Sequence, residues 1–442
     1  MIQLGQILFI LSVLVILHEL GHYVAAKIFK VRVEKFYLFM DAGFSLLKKK
    51  IGETEWGIGW LPIGGYVKLA GMIDESMDTE QMKSPAQPWE FRSKPAWQRL
   101  IIMLGGIIVN IILAWFIYTV VYSTYGQKYI STERIQENGL VFGEVGQKAG
   151  FRNGDKIMAV DGKYQPNFNR MTLDVLLGDN VEVERDGKKT DLILTDEMKA
   201  EIIGKEGKQF MGPRWANVQI DSIFPNSNAS KASLKVGDNI VGINGVKVTY
   251  FDQFGTELAK HKNDSITLDV NRNQQVIQIK ALVTKDGTLG FKQKTKDLKE
   301  DYLVKNQLTV GEAIPAAVKE SWSLLVYNVK QFKLILRPKT EAYKHVKSPV
   351  GIARALPDEW NWEFIWNFTA LFSIGLAFMN LLPIPGLDGG HALFTIAEMI
   401  TGKRLGEKAA GYVQTVGMVI LLSLMALTFG KDIYQLVADK LF

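Results

Sequence analysis

The chain has 442 residues, of which 47% are hydrophobic and 22% are charged, and it contains no cysteine. This composition excludes a disordered or collagen-like protein. The absence of cysteine excludes disulfides, thiolate zinc sites, iron–sulfur clusters and a cysteine nucleophile. The net charge of +6 is spread without a dense basic block, which argues against nucleic-acid binding. Any bound metal must therefore be held by histidine and carboxylate side chains.

Four apolar segments are long enough to cross about 30 Å of hydrocarbon as helices. They cover residues 2–29, 100–122, 364–382 and 411–429, and the second has no charged residue. The first segment could instead be a signal peptide, but no basic residue precedes Lys27 and no small-residue cleavage pattern follows. The sequence therefore predicts a polytopic α-helical membrane protein with four transmembrane helices, at residues 1–29, 100–122, 364–386 and 411–429.

Basic residues near the helix ends predict the orientation in the bilayer. Seven basic residues lie at or near the two ends of the 30–99 loop: Lys27, Lys30, Arg32, Lys35, Arg92, Lys94 and Arg99. On the other side of the membrane, near the ends of the second and third helices, there are three: Lys128, Arg134 and Arg354. The 30–99 loop and the 387–410 segment are therefore expected in the cytoplasm. The long 123–363 segment and both chain ends are expected outside.

An internal repeat lies between the second and third apolar segments. Residues 149–162 align without gaps on residues 232–245, at an offset of 83. Each copy reads as a short helix, a Gly-Asp turn, an apolar strand and an Asp-Gly or Asn-Gly hairpin turn. The repeat predicts two β-rich domains, at 126–212 and 213–309, which resemble PDZ domains that bind peptide termini as an added strand. Two β-rich spacers without a ligand are the alternative.

The 310–363 linker begins with a helical pattern of apolar residues, which Pro338 ends. The apolar face is formed by Ile314, Val318, Trp322, Leu325, Val329, Phe332 and Leu336. This pattern predicts an amphipathic helix that lies on the outer membrane surface or packs against the second β domain. The sequence leaves both open.

The first apolar segment contains the motif His18-Glu19-Leu20-Gly21-His22. On a helix, two histidines four residues apart lie on one face and can bind one Zn²⁺, with the glutamate placed to take a proton from the attacking water. Such polar groups are costly inside an apolar helix unless they have partners. The motif therefore predicts a zinc hydrolase site rather than a structural histidine.

Zinc hydrolases hold their metal with three protein ligands, so one more is expected. The candidate is Asp388, which follows Pro383 and Pro385 at the end of the third apolar segment. The prolines break the helix at membrane depth, which is tolerated only where protein or a polar cavity satisfies the backbone. The predicted topology puts Asp388 and the histidines at one depth. Alternatively, Asp388 only caps the next helix.

The remaining histidines are not expected to join this site. His261 and His345 read as surface residues of the outer segment, and His391 reads as part of a helix start.

These motifs together resemble the site-2 protease family of intramembrane zinc metalloproteases, most of all its bacterial branch of sigma-E regulators. The evidence is HELGH in the first helix, the N-x-x-P-x-P-x-x-D-G run at residues 380–389 and the tandem PDZ-like repeats between them. Residues 348–353 also resemble that branch's segment before the third helix. The resemblance implies Zn²⁺ held by His18, His22 and Asp388, with Glu19 as the catalytic base and Asn380 near the substrate or oxyanion.

The resemblance also implies a function and a location. It implies cleavage of single-pass membrane proteins in regulated intramembrane proteolysis, with anti-sigma factors or remnant signal peptides as substrates. The implied location is the bacterial inner membrane, with the PDZ-like domains in the periplasm and the active site near the cytoplasmic side.

The cytoplasmic loop carries a further element of the resemblance. Residues 56–69, WGIGWLPIGGYVKL, resemble the family's membrane-reentrant β loop, which pairs with an unwound substrate segment. This implies substrate-binding roles for Gly64, Gly65, Tyr66 and Val67. The upstream run at residues 41–46, DAGFSL, departs from the family's Gly-Phe-Gly-Pro pattern. As an alternative, Gly64 and Gly65 form an ordinary hairpin turn.

Two other classes of protein fit the sequence less well than a protease does. A non-catalytic PDZ scaffold that binds peptide termini has no need of Glu19 inside a membrane helix. A metal transporter is expected to have more intramembrane polar residues than Asn110, Gln414 and a few hydroxyls in its second and fourth helices.

Overall fold

The computed structural model describes residues 2–62, 64–72, 85–204, 210–297, 300–354, 356–404 and 406–441. The helices are α1 Ile2–Ile28, α2 Ala96–Tyr125, α3 Thr132–Ile135, α4 Glu144–Lys148, α5 Phe168–Leu177, α6 Asp196–Gly204, α7 Asn228–Lys231, α8 Phe251–Ala259, α9 Val310–Ile335, α10 Pro349–Ala353, α11 Trp362–Leu381, α12 Asp388–Thr401 and α13 Glu407–Leu441. The strands are β1 Val33–Leu38, β2 Met40–Ile51, β3 Thr54–Leu61, β4 Tyr66–Leu69, β5 Gln127–Ile130, β6 Leu140–Phe142, β7 Lys156–Val160, β8 Asn180–Arg185, β9 Lys188–Ile193, β10 Met211–Pro213, β11 Val218–Ile223, β12 Asn239–Ile243, β13 Val246–Lys247, β14 Ser265–Arg272, β15 Gln275–Leu282, β16 Phe291–Gln293 and β17 Leu303–Asn306.

The chain forms two compact units. The first comprises residues 1–127, 307–332 and 346–442, and the second comprises residues 128–306 and 333–345. Four helical segments of the first unit are long and apolar enough to cross a membrane: Ile2–Ile28, Ala96–Tyr125, Trp362–Leu381 and Gly411–Tyr434. The prediction of a membrane protein with four such helices and β-rich regions is confirmed at this level.

Several helix ends differ from the predicted boundaries, and three differences stand out. α11 ends at Leu381 rather than at residue 386, because Pro383 has no N–H to donate and restricts the residue before it. The predicted 387–410 segment contains α12, which begins at Asp388 and ends at Thr401, and its C-cap residue Gly402 has a φ of 68°. α13 runs beyond residue 429, to Leu441.

α1 and α2 approach each other closely at glycines. A Cβ added at Gly21 would collide with the carbonyl oxygen of Gly105 and would lie 2.9 Å from the Cα of Gly106. Small residues allow membrane helices to pack backbone against backbone, where dispersion contacts are dense. The crossing brings the motif of α1 against the middle of α2.

α9 packs against the membrane-spanning helices. Ala313 and Ala317 are fully buried in a cluster with Ala114, Ile117 and other residues of α2 and α11. The opposite face is apolar and exposed, and it includes Val310, Ile314, Val318, Trp322, Val326 and Val329. The buried face of α9 therefore packs on α2 and α11, an arrangement that neither predicted alternative described.

A four-stranded sheet follows α1, where the sequence predicted a membrane-associated hairpin. Its strand order is β2-β3-β1-β4, with β1 parallel to β3 and antiparallel to β4. Because β1 lies between β3 and β4, Gly64 and Gly65 are a crossover connection, and the alternative of an ordinary hairpin turn is wrong. Residue 63 and residues 73–84 of the predicted loop lie outside the described residues.

The second unit contains two β-rich cores that repeat the same local structure. β7 and β12 lie 83 residues apart, and each leads into a turn with positive φ: 48° at Asp161 and 72° at Gly162, 47° at Asn244 and 81° at Gly245. β7 pairs with β8, which pairs with β9 on its other side, and β12 lies in a larger sheet with the order β15-β14-β12-β11-β16. Separate hydrophobic clusters fill the two cores.

Each repeat is held by the same buried ion pair. The guanidinium of Arg185 donates to both carboxylate oxygens of Asp155 at 2.8 and 2.7 Å, and that of Arg272 donates to Asp238 at 2.7 and 2.7 Å. Both aspartates are 1% exposed as side chains. Burial opposes ionisation of Asp238, but the Arg272 hydrogen bonds and the Lys235 N–H outweigh it and hold its pKa below the ordinary value.

We expect Asp238→Asn to destabilise the second repeat by about 3 kcal/mol, the lower end for a broken buried pair, because Arg272 is partly exposed. Since the pKa is depressed in the folded state, the wild-type contribution is complete above the ordinary carboxyl pKa and is lost as the pH falls below about 4. Hydrogen exchange of β12 and β14 in the full chain measures both effects. The exposed Asp286→Asn is the control, and equal protection in the two variants would contradict the assignment.

Candidate metal centre and active site

Three side chains from two distant parts of the chain converge. His18 and His22 lie one turn apart on α1, and Asp388 comes from the first turn of α12. The Oδ2 atom of Asp388 lies 3.3 Å from Nε2 of His18 and 3.2 Å from Nε2 of His22, and the two Nε2 atoms are 3.4 Å apart. Within the described chain, this is the cluster whose donor atoms could share one metal ion.

The donor set fits zinc. Ligand atoms that lie about 2.05 Å from one tetrahedral ion are about 3.4 Å from each other, from the Zn–N and Zn–O distances usual in proteins. The three observed separations are close to that value. The buried Oδ2 of Asp388 accepts no hydrogen bond in the described part of the chain, which is costly for a carboxylate oxygen without a cation. Two imidazoles and one carboxylate also leave a fourth position for substrate or water.

Contacts with α2 orient both imidazole rings. Nδ1 of His22 lies 2.8 Å from the carbonyl oxygen of Ile102 and donates to it, so its Nε2 lone pair is free for a metal. Nδ1 of His18 lies 3.0 Å from the amide of Asn110, whose buried Oδ1 has no partner among the described residues. When the side-chain amide of Asn110 is rotated by 180°, its Oδ1 accepts a hydrogen bond from the Nδ1–H of His18. The Nε2 lone pair of His18 is then free for a metal, like that of His22.

Asn110 is the residue of this site that sequence reasoning missed. The sequence showed it only as one of the few polar residues in α2, and its proximity to His18 depends on the α1–α2 crossing. Its backbone oxygen also accepts the hydroxyl of Ser373 at 2.7 Å, which connects α2 to α11. The signal available in the sequence was a single asparagine within the apolar segment 100–122.

We expect Asn110→Leu to lower zinc affinity about 10- to 100-fold, because the imidazole of His18 would lose the partner that fixes its tautomer. Competition with a zinc chelator measures the change. Asn367→Leu is the matched control, since the amide of Asn367 bonds within its own helix, to Glu363. An unchanged affinity in Asn110→Leu would show that His18 needs no partner on α2.

α12 is held so that Asp388 faces α1. Its N-cap position is occupied by Leu387, and Asp388 is directed to the histidines, although it also lies in the helix's first turn. A Cβ at Gly389 would collide with the carbonyl oxygen of Leu382, so the glycine permits the tight turn out of α11. Further along, Glu398 accepts a 2.5 Å hydrogen bond from the buried Arg99 of α2.

Glu19 is placed beside the histidines and the edge strand of the sheet. A Cβ at Gly65 would lie 3.4 Å from Cγ of Glu19 and 2.6 Å from Cγ1 of Val15, so the chain entering β4 touches the motif helix. Of the predicted substrate-binding residues, Gly65 therefore lies at the site. Tyr66 donates to Asp41 at 3.0 Å. Val67 packs into the cluster under α1, and Gly64 has open space beside it.

Asn380 also lies at the centre. It is 9% exposed, and its Nδ2 lies 3.1 Å from Nε2 of His18. Among the other histidines, His261 pairs with Glu257 at 3.7 Å and His345 is exposed. His391 lies in the first turn of α12.

The fold and the cluster define a class of protein: a membrane protein in which an H-E-x-x-H helix and a converging aspartate form a cluster that could hold a metal ion, as in metallohydrolases. Comparison with known proteins narrows the class. The profile of peptidase family M50 matches residues 6–424, and the chain belongs to this family.

Curated relatives match along nearly the whole chain. The regulator of sigma-E protease RseP of Escherichia coli (strain K12) is 27% identical over 458 residues, which cover 98% of this chain and 99% of that protein. A protein of Vibrio cholerae that bears the provisional name of a zinc metalloprotease is 28% identical over 459 residues, or 96% and 97% of the two chains. The chain is a zinc-dependent metalloprotease of the membrane.

Proposed function

We propose that this protein is an intramembrane endopeptidase that cleaves single-pass membrane proteins, and that His18, His22 and Asp388 hold its zinc. The observation that carries the proposal is the position of the cluster. Both histidines lie inside α1, a helix apolar enough to span a bilayer, and their partners Ile102 and Asn110 lie inside α2, a second one. A peptide bond that reaches this site must come from a segment within the membrane.

Glu19 is the proposed catalytic base. It is adjacent to His18 on α1 and lies against the Gly65 segment, so its carboxylate is placed to take a proton from the attacking water and pass it to the leaving amide nitrogen. Bound Zn²⁺ supplies Lewis acidity, which acidifies water and polarises the scissile carbonyl. The amide N–H of Asn380 is proposed to donate to the oxygen of that carbonyl as negative charge develops on it.

The edge strand β4 is proposed to hold the substrate in an extended form. A helical substrate buries its carbonyls in its own hydrogen bonds, so cleavage requires local unwinding. β4 pairs with β1 on one side, and within the described chain no strand pairs with its other side. Gly65, at the entry to β4, lies against Glu19, so a peptide added along this strand would run past the catalytic base.

The two β domains are proposed to be PDZ-like and to lie on the periplasmic side of a bacterial inner membrane. Their repeated strand–turn–helix units and the sequence pattern support the first part, and the basic residues around the 30–99 loop support the second. At this position they would admit substrates with small outer domains, such as anti-sigma factors after a first cut or remnant signal peptides. Unchanged substrate choice after deletion of residues 126–309 would contradict this role.

The experiment that tests the proposed function is cleavage of a tagged single-pass membrane protein by the purified enzyme, with and without a zinc chelator. We expect Glu19→Gln to slow cleavage about 10²- to 10⁴-fold, since it keeps the shape of the side chain but removes the base. Glu359→Gln, an exposed glutamate outside the site, should cleave like the wild type. Equal cleavage by Glu19→Gln and by the wild type would refute the assignment of Glu19 as the base. A purified wild-type protein that neither cleaves the substrate nor contains zinc would favour the non-catalytic PDZ scaffold.

A further inference from the structure

A buried ion pair joins α2 to the far end of α12. Nη2 of Arg99, in the first turn of α2, donates to Oε1 of Glu398 at 2.5 Å, and the two side chains are 7% and 19% exposed. Nε of Arg99 also donates to the carbonyl oxygen of Lys94 at 3.0 Å, which fixes the guanidinium against the start of its own helix. Neither side chain takes part in the proposed hydrolysis. Removing two charges from water costs about as much free energy as their attraction provides, so a buried pair supplies a defined geometry more than stability.

The same part of α2 orients a metal ligand on α1. Ile102 follows Arg99 by three residues, so the two lie on one face of α2. The carbonyl oxygen of Ile102 lies 2.8 Å from Nδ1 of His22 and accepts a hydrogen bond from it. α12, which Arg99 contacts through Glu398, carries Asp388, whose Oδ2 lies 3.2 Å from Nε2 of the same histidine. One turn of α2 is therefore in contact with the elements that supply the second histidine and the aspartate.

α12 needs a second point of attachment to hold its direction. At its beginning, a Cβ at Gly389 would collide with the carbonyl oxygen of Leu382, so the first turn packs closely on the preceding loop. This contact fixes where the helix begins. Glu398 comes ten residues after Asp388, about 15 Å along the helix at 1.5 Å per residue. An attachment at that distance fixes the tilt and the rotation of α12, and with them the direction in which Asp388 points.

A second hydrogen bond secures the same end of α12. Arg404 lies just after the helix and donates from Nη1 to the carbonyl oxygen of Arg92 at 2.9 Å, in the segment that leads into α2. The end of α12 is thus attached to the start of α2 at two points. Ligand distances in zinc sites vary by only about 0.2 Å, so a small displacement of α12 would weaken binding through Asp388.

We propose that Arg99 and Glu398 are positioning residues of the metal site. Their ion pair holds α12 in the orientation that brings the carboxylate of Asp388 to His18 and His22. The pair acts through the helix, since it lies about 15 Å along α12 from the ligand. This role rests on the proposed function, because Asp388 is taken as a ligand of the zinc. A site with all three ligands intact should therefore bind zinc weakly once the pair is broken.

Breaking the pair tests this role without relying on proteolysis. We expect Glu398→Leu in the purified full chain to lower zinc affinity about 10- to 100-fold, the range for loss of a residue that supports a metal ligand. Competition with a zinc chelator measures the affinity. The visible spectrum of Co²⁺ bound in place of zinc reports the number and geometry of the ligands, and it should change as well. Wild-type affinity and spectrum in Glu398→Leu would overturn the proposal.

Asp252→Leu is the matched control. It breaks a comparably buried pair in the second β domain, where Arg214 donates to the two carboxylate oxygens of Asp252 at 3.0 and 3.1 Å and the side chains are 13% and 10% exposed. This variant should keep the zinc affinity and the cobalt spectrum of the wild type. An equal loss of zinc in both variants would mean that general destabilisation causes the effect, and would contradict the positioning role.

The double substitution of Arg99→Leu with Glu398→Leu separates positioning from folding. It leaves no unpaired charge, so its thermal stability should exceed that of Glu398→Leu alone. Its zinc affinity should nevertheless stay low, since two leucines do not fix the direction of α12. Recovery of zinc affinity together with stability would mean that the pair only supports the fold, and the positioning role would be wrong.

Asp388→Ala distinguishes a failure of this inference from a failure of the proposed function. If Asp388→Ala loses its zinc while Glu398→Leu keeps it, the ligand assignment stands and only the positioning role is wrong. If Asp388→Ala keeps its zinc, both the ligand assignment and the positioning role are wrong.

Discussion

Asp388→Ala is expected to lose zinc and proteolysis together. The carboxylate oxygen of Asp388 lies 3.3 and 3.2 Å from the two Nε2 atoms, and its removal leaves two ligands where a hydrolytic zinc site uses three. The loss of zinc affinity should exceed the 10- to 100-fold that loss of an outer partner costs. Zinc analysis of the purified protein and cleavage of a membrane substrate measure the two effects.

Two variants make this result specific. Asp358→Ala removes an exposed carboxylate outside the site and should keep both zinc and activity. Glu19→Gln should keep zinc while losing activity, because the glutamate is not among the three converging ligands. If Asp388→Ala instead retained a full equivalent of zinc, Asp388 would not be a ligand, and its role would be limited to stabilising the first turn of α12.

The single methyl group that Gly106→Ala adds is expected to displace the two proposed histidine ligands. A Cβ at this position would lie 2.5 Å from Nε2 of His22 and 2.6 Å from Cε1 of His18, distances that real Cβ contacts do not reach. The rings cannot simply move away, because Ile102 and Asn110 hold their other nitrogens. The substitution should therefore lower zinc affinity at least as strongly as Asn110→Leu, by about 10- to 100-fold or more.

The control for this variant is Gly375→Ala on α11. Gly375 has no atom within 4 Å of its added Cβ, and alanine has the higher helix propensity, so the protein should bind zinc and fold as before. Thermal unfolding alongside zinc titration separates a local effect from a folding defect. Wild-type zinc affinity in Gly106→Ala would mean that α2 does not confine the imidazoles.

The sequence predicted those features that depend on neighbouring residues in the chain. Long apolar segments predicted the four spanning helices, and the spacing of His18 and His22 placed both histidines on one face of α1. Asp388 was found because prolines and glycines mark an irregular backbone around it. The role of each site residue stays a prediction until the variants are measured.

Features that depend on contacts between residues far apart in the chain were not visible in the sequence. Asn110, the Ile102 carbonyl and Gly106 meet the histidines only because α1 and α2 cross at Gly21 and Gly105. The order of the sheet was missed for the same kind of reason, since β1 inserts between β3 and β4 and no local pattern encodes that crossover. The end of α11 was misplaced by five residues because its apolar run continues past the last helical hydrogen bond.

The pairing of β5 with β17 has a consequence for how this chain tolerates change. These strands are the first and last elements of the β-rich insertion, and next to them the Ser131 N–H donates to the Tyr302 carbonyl at 2.9 Å. The insertion therefore leaves and rejoins the helical part of the chain at neighbouring points. Modules with adjacent ends can be lengthened, exchanged or removed without stretching the remaining chain. The β-rich insertion can thus change in length or sequence while the helical part that carries the metal cluster stays intact.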